Sequence, residues 1–237
     1  MSIKPENALI IFARQPVPGQ VKTRLSPPLS TEEAAELYRC MLEDILARTE
    51  SLAGLERYLF FEGGDDEAAY FARTSPGMAR FPQQGDDLGA RMAAAFHRVF
   101  ADGHGIAVII GTDSPDLPVT YIQDACELLQ QGNIDVVFGP SDDGGYYLLG
   151  MGRLYGGLFR DITWSSDQVL RESLHRAADE GLRAALLPGW HDVDRPEDLL
   201  RPELLDMNNS APRTREFLGS WLGSIRRCIS TRKAPET

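Results

Sequence analysis

The chain has 237 residues, enough for one large α/β domain or two small ones, of which one is expected, and its 43% hydrophobic content allows a sizeable core. A formal charge of −11 argues against a general nucleic-acid binder, because phosphate backbones are held by a surplus of Lys and Arg. Cys40, Cys126 and Cys228, odd in number and far apart, fit neither a disulfide framework nor a Cys-based zinc site; without a signal-peptide core or a bilayer-length apolar run, a cytoplasmic protein with no membrane span is expected.

Ala8–Ala13 is a continuous apolar run, predicted as a first strand buried on both faces of a parallel sheet. It runs into Arg14-Gln15-Pro16-Val17-Pro18-Gly19-Gln20-Val21-Lys22-Thr23-Arg24-Leu25, too rich in proline for a helix and predicted as a shaped loop. No acid occurs between Glu6 and Glu32, whereas Arg14, Lys22 and Arg24 bring three positive charges. Glycine lets backbone N–H groups approach a polyphosphate, and cations offset its charge. Gly19 with Arg14, Lys22 and Arg24 is therefore a candidate phosphate loop; a solvated basic loop is the alternative.

Ser30 or Thr31 can cap a helix from about Glu32 to Ser51, whose apolar face (Leu37, Met41, Leu42, Ile45, Leu46) gives it a structural role. Tyr58–Phe61 reads as the second strand, and Asp65 and Asp66 start a short helix through Arg73. Phe81 marks a short third strand. Beyond Gly85, Asp86 or Asp87 can cap a helix burying Leu88, Met92, Ala95, Phe96 and Val99. Gly89 inside it implies a close approach, by a packed neighbour or by a nucleotide. Arg91 in the same first turn can reach an anion, a surface arginine being the plainer reading.

The strand Ile106–Ile110 stops at Gly111 and delivers Thr112, Asp113, Ser114, Pro115 and Asp116. Ligands of open α/β sheets bind beyond the carboxyl ends of strands, so these paired acids suggest a divalent metal. The alternative is a capping Asp113 and a solvated Asp116. Pro118 starts a helix carrying Ile122, Ala125, Leu128 and Leu129, and Ile134–Pro140 is a further strand. Asp142, Asp143, Gly144 and Gly145 make a turn, after which Tyr146–Leu149 reads as an antiparallel strand; this is either a hairpin or a substrate-binding loop. A helix over Asp167–Glu180 and a last strand over Ala184–Leu187 lead to His191-Asp192-Val193-Asp194. Asp192 and Asp194, two apart on an extended segment, can face one cation together before a proline-started helix at Pro196. An amphipathic helix over about Thr214–Ile225 precedes a basic tail expected to be disordered. The chain thus reads as one domain over 1–206, a doubly wound, mostly parallel sheet in a three-layer α/β/α arrangement, followed by a helix and tail over 207–237.

Five stretches together carry a resemblance: Phe12-Ala13-Arg14 with Pro16, Pro18-Gly19 and Lys22-Thr23-Arg24-Leu25; Gly85, Asp87-Leu88-Gly89 and Arg91-Met92; Gly111-Thr112-Asp113-Ser114-Pro115; Gly139-Pro140 with Asp143-Gly144-Gly145-Tyr146-Tyr147; and His191-Asp192-Val193-Asp194 with Pro196-Glu197-Asp198-Leu199. Over roughly Leu9–Leu200 the chain resembles a bacterial family labelled radical-SAM/selenodomain-associated transferase, within the nucleotide-diphospho-sugar transferase superfamily. That superfamily includes molybdopterin-cofactor nucleotidyltransferases and phospholactate guanylyltransferase. The resemblance implies the glycosyltransferase-A fold, with Asp113 as main metal ligand for Mg²⁺ or Mn²⁺ and Asp194 or Asp192 as the second acid. It implies nucleotide contacts from Arg14, Gly19, Lys22, Arg24, Gly85, Arg91 and Thr112, with Lys22 and Arg24 joining Asp113 in catalysis. Asp142, Asp143, Gly144, Gly145 and Tyr146 are the candidate substrate contacts. Two departures stand out: Asp113 and Asp116 flank two residues rather than one, and the first loop lacks multiple glycines.

The expected activity is nucleotidyl transfer from a nucleoside triphosphate to a small phosphate or carboxylate acceptor. A glycosyltransferase using a nucleotide sugar is the enzymatic alternative, and a non-catalytic nucleotide-binding module the alternative of another class. An aspartyl-phosphate hydrolase is disfavoured, since its nucleophile sits on the first strand and here that strand ends in Arg14. The expected partners are a nucleoside triphosphate or nucleotide sugar and a small-molecule acceptor, and the sequence is compatible with a homodimer.

Overall fold

A computed structural model describes residues 6–232. Its strands are β1 (Asn7–Ala13), β2 (Leu55–Phe61), β3 (Ala79–Pro82), β4 (Ile106–Ile110), β5 (Val136–Pro140), β6 (Tyr146–Met151) and β7 (Ala184–Leu186). Its helices are α1 (Thr31–Glu50), α2 (Asp65–Thr74), α3 (Leu88–Ala101), α4 (Val119–Gln130), α5 (Val169–Asp179), α6 (Pro202–Leu205) and α7 (Pro212–Arg232). These divide into two compact units: one runs up to Ala13 and takes in Leu52–Gly111 and Pro118–His191, the other comprises Arg14–Ser51, Thr112–Leu117 and the chain from Asp192 onward.

The first unit holds the whole sheet, in the order β3-β2-β1-β4-β6-β5-β7. β1 pairs in parallel with β2 and β4, β2 with β3, and β5 with β7. β6 alone runs antiparallel, between β4 and β5. Its direction follows from the turn before it, where Ser141 N–H donates to Gly145 O at 3.1 Å and Gly144 adopts φ +90°. All five residues of β4 are buried, as expected of a strand covered on both faces. Helices lie on both sides. On one face Met92, Ala95, Phe96 and Val99 of α3 and Ala177 of α5 pack on Ile10, Phe60, Ile109, Phe138 and Leu149. On the other, Leu129 of α4 and Val108 of β4 approach the backbone of Gly150 so closely that a Cβ there would meet them at 3.2 and 3.3 Å.

The second unit has its own core, in which Leu25, Leu29, Leu37 and Met41 meet Val193, Leu199, Leu204, Leu218 and Ile225. α1 opens on a capping box at Ser30, whose hydroxyl accepts the Glu33 N–H at 3.2 Å while Glu33 accepts the Ser30 N–H at 2.8 Å. At the start of α7, the N–H groups of Arg213 and Thr214 and the Thr214 hydroxyl all donate to the buried carboxylate of Asp44 on α1.

Several local expectations are corrected. Leu88 is 44% exposed, because the first residue of α3 lies on the solvent side of the turn that Asp87 caps. The close approach at Gly89 is made by the Trp164 ring, a packed neighbour rather than a nucleotide. The proline-rich loop contains one helical turn, a 3₁₀ turn at Thr23–Leu25, and Pro196 starts a 3₁₀ turn to Leu200 instead of an α-helix. The basic segment beyond Ile225 is not a disordered tail: α7 continues through Arg226 and Arg227 to Arg232 because Ile225 and Ile229 keep one face buried. The rest of the expected tail, 233–237, lies outside the described residues.

Candidate active site

The strand order reverses between β1 and β4, and these neighbours are parallel, with Ile11 opposite Ile110. The segments that follow them enter the second unit at Arg14 and at Thr112. Within the second unit these two segments meet at one oxygen. The buried Tyr38 hydroxyl on α1 accepts the Arg14 N–H at 3.0 Å and shares a hydrogen bond with Thr112 Oγ1 at 2.7 Å. Burial, and then the Asp113 carboxylate, push the Tyr38 phenol well above its ordinary range, so the group stays protonated.

Next to that junction lies a cluster of charges. Lys22 Nζ is 2.5 Å from Asp113 Oδ1 and 4.0 Å from Asp194 Oδ1, and Arg24 Nη1 is 2.7 Å from Asp194 Oδ2. The Lys22 side chain is only 5% exposed, against 58% for Asp113 and 71% for Arg24. Its backbone is left-handed at φ 50°, an uncommon conformation for a residue with a side chain, and its carbonyl starts the 3₁₀ turn by accepting the Leu25 N–H. Val193 N–H donates to Asp113 O at 2.9 Å, which sets the Asp192–Asp194 segment beside the first aspartate. Asp198 then holds the turn, accepting the N–H groups of Asp194 and Arg195 at 3.1 and 2.7 Å. Asp192 is half-buried two residues before Asp194. Gly19 is exposed at φ 76° with open space around it, leaving its backbone approachable.

The Asp113 loop is clamped from α1. Arg48 donates to the carbonyls of Pro115, at 3.0 Å, and Leu117. Asp116 is 5% exposed and accepts from Asn209 Nδ2 at 3.4 Å, so this second acid turns inward. Tyr38, Arg48 and Asn209 were not foreseen from the sequence. The one available signal was a tyrosine on the otherwise aliphatic face of α1.

The other candidate residues belong to the sheet unit, and local folding accounts for most of them. Gly85 has φ +135° and no room for a Cβ beside Ala90 and the Arg91 backbone. Arg91 returns to the Gly85 carbonyl at 3.1 Å and pairs with Glu62 at 3.3 Å. Asp143 accepts the N–H of Gly145 at 2.9 Å and the Ser141 hydroxyl, closing its own turn. A Cβ on Gly144 would collide with the Asp167 carbonyl. Tyr146 packs edge-on against Phe138 at 5.4 Å, and Asp142 is exposed.

Among the described residues no three His, Cys, Asp or Glu side chains are arranged as a metal cluster. Asp113 and Asp194 nevertheless converge on one point, the Lys22 ammonium. Two carboxylates with all-oxygen donors suit Mg²⁺, which takes one or two protein carboxylates and completes its shell with water and phosphate.

The Tyr38 junction has a measurable consequence. Tyr38→Phe and Thr112→Val are each expected to lower unfolding free energy by about 1–2 kcal/mol in urea, and the double variant by clearly less than the sum, because both remove the hydrogen bond that the two hydroxyls share.

A family model for an uncharacterized protein conserved in bacteria (DUF2064) matches residues 45–166. The chain belongs to the DUF2064 family. In structure, the DUF2064 chain is similar to a protein of Desulfovibrio desulfuricans G20, provisionally described as a nucleotide-diphospho-sugar transferase: TM-score 0.87 and 33% identity, covering 94% of this chain and 97% of that one. In sequence it is 28% identical to the 2-phospho-L-lactate guanylyltransferase of Methanocaldococcus sp. (strain FS406-22) over 184 residues, 76% of this chain and 75% of the relative. A cytidylyltransferase from Leptospira borgpetersenii shares the fold at TM-score 0.58 and 14% identity, covering 98% and 99% of the two chains. The DUF2064 chain thus falls in the superfamily of nucleotidyltransferases and nucleotide-sugar transferases, with the α/β fold expected. Among its described residues no helix is long and apolar enough to cross a membrane.

Proposed function

We propose that this chain is a metal-dependent nucleotidyltransferase, transferring a nucleotide from a nucleoside triphosphate to a small phosphate or carboxylate acceptor. The observation that carries the reading is the meeting of Asp113, on the segment after β4, and Asp194, beyond β7, at the single buried ammonium of Lys22 on the segment after β1. Lys22, Arg24 and Arg14 offset the charge of a triphosphate, and the open backbone at Gly19 lets its oxygens approach. Asp113, with Asp194 or Asp192, would hold Mg²⁺ or Mn²⁺, which when bound supplies charge neutralisation at the phosphates. The acceptor's own oxyanion attacks the α-phosphorus and pyrophosphate departs, so no covalent nucleophile of the chain is needed. The work of the protein is positioning and electrostatics. Arg48 and Tyr38 serve it indirectly, by fixing the Asp113 loop. The name of the Methanocaldococcus relative supports this chemistry.

A nucleotide-sugar donor is the second reading, favoured by the description of the Desulfovibrio relative. There the same cluster would hold the diphosphate leaving group. A thermal-shift series separates the two: GTP, CTP and ATP against UDP- and GDP-sugars, each with Mg²⁺, Mn²⁺ or EDTA. The first reading expects metal-dependent stabilisation by a triphosphate above that by any nucleotide sugar. The reverse ranking would transfer the assignment to glycosyl transfer, and stabilisation unaffected by EDTA would remove the metal from both.

A further inference from the structure

The chain contains 21 arginines but only three lysines, Lys4, Lys22 and Lys233. The one lysine between the two ends stands where two carboxylates converge. Arginine presents a planar fork that spreads its charge over three nitrogens, whereas lysine presents a compact point charge on a flexible stem. Only the latter resembles a metal ion in shape and charge density. The Lys22 ammonium is 2.5 Å from Asp113 and 4.0 Å from Asp194, on a side chain that is 5% exposed. The left-handed backbone at φ 50° is a further cost that an ordinary surface lysine would not carry.

We propose that Lys22 and a divalent cation are alternative occupants of one position, the lysine holding the Asp113–Asp194 pair together until a cation replaces it. This rests on the assignment of Asp113 and Asp194 as cation ligands in the proposed function, and goes beyond it. The ammonium offsets carboxylates that would otherwise repel each other and preserves their spacing in the free protein. Displaced, the four-carbon stem swings the charge outward, where it is available to a phosphate. The loop lysine therefore has opposite effects on the two ligands: it opposes metal binding in the absence of nucleotide and assists nucleotide binding.

The test uses Mn²⁺ alone, titrated by electron paramagnetic resonance into the full chain without nucleotide. Lys22→Met, which keeps the stem and removes the charge, is expected to bind Mn²⁺ about tenfold or more tighter than the wild type. Arg24→Met removes the same charge from Asp194 without vacating the shared position, and is expected to change affinity by less than about threefold. In the unmodified protein, reductive dimethylation followed by mass spectrometry gives a second readout that needs no variant. Lys22 should be protected relative to the same lysine in the chain unfolded in urea, and Mn²⁺ should raise its labelling in the folded protein at least about fivefold. Equal or weaker Mn²⁺ binding by Lys22→Met, an equal gain in Arg24→Met, or labelling of Lys22 that ignores Mn²⁺ would overturn the proposal. So would failure of every form to bind Mn²⁺. The nucleotide arm is separate: absence of triphosphate binding counts against the proposed function, and leaves the lysine–metal exchange to stand or fall on Mn²⁺.

Discussion

Asp113→Asn is expected to weaken Mn²⁺ binding by at least about 100-fold while leaving the protein folded. The carboxylate side chain is 58% exposed, so asparagine fits without burying a new polar group. What disappears is the charge that balances Lys22 at 2.5 Å and that we assign to the cation. The fold should tolerate this, because the freed lysine can take its ammonium to water along its own stem, at a cost of about 1 kcal/mol or less. Isothermal titration with Mn²⁺, beside a urea unfolding curve, separates the two effects. Unchanged Mn²⁺ affinity in the asparagine variant would remove Asp113 from the ligand set.

The largest effect on stability is expected at Asp44→Ala. Asp44 is 1% exposed, and its carboxylate receives the Thr214 N–H and hydroxyl, each at 2.8 Å, and the Arg213 N–H at 3.2 Å. A carboxylate at a helix N-terminus satisfies donors that have no partner inside the helix and faces the positive end of its dipole. Alanine would leave the Thr214 N–H and hydroxyl buried without that acceptor, since Thr214 is 0% exposed. A loss of about 3 kcal/mol follows, or a fall in melting temperature of about 6–12 °C for a chain of this size. Asp44→Asn keeps an acceptor and should recover about half. Differential scanning calorimetry of the two variants checks both magnitudes, and equal destabilisation by the two would show that the charge, not the acceptor, matters.

Periodicity and backbone chemistry make the strands and turns legible in the sequence. The apolar run before Arg14 and the one before Gly111 became the parallel neighbours β1 and β4. Two glycines after Asp143 became the turn that reverses β6. Residues whose role depends on a distant partner were not legible. Nothing local in α1 marks Tyr38, whose hydroxyl joins Arg14, 24 residues before it, to Thr112, 74 residues after it. Asp44 gave no signal, because its partners lie 169 and 170 residues further on. The charges of the first loop suggest a phosphate site, but residue type does not reveal that Lys22 and Arg24 also pair with Asp113 and Asp194, which lie far along the chain. Arg91 and Asp143 are candidate ligand contacts by placement and resemblance, and the partners the sequence did not reveal are Glu62 and the Gly85 carbonyl for Arg91 and the turn around Ser141 for Asp143. Side-chain identity announces what chemistry a residue can do, whereas partner choice depends on tertiary geometry.

In the proposed function the Asp113–Asp194 pair and the Lys22–Arg24 loop together bind a triphosphate through a metal. Titrating GTP into the wild-type protein by calorimetry, once in Mg²⁺ and once in EDTA, tests it most directly. Affinity is expected to be at least about tenfold higher in Mg²⁺, and Asp113→Asn is expected to lose that advantage. Equal affinity in Mg²⁺ and EDTA, or an undiminished Mg²⁺ advantage in Asp113→Asn, would contradict it.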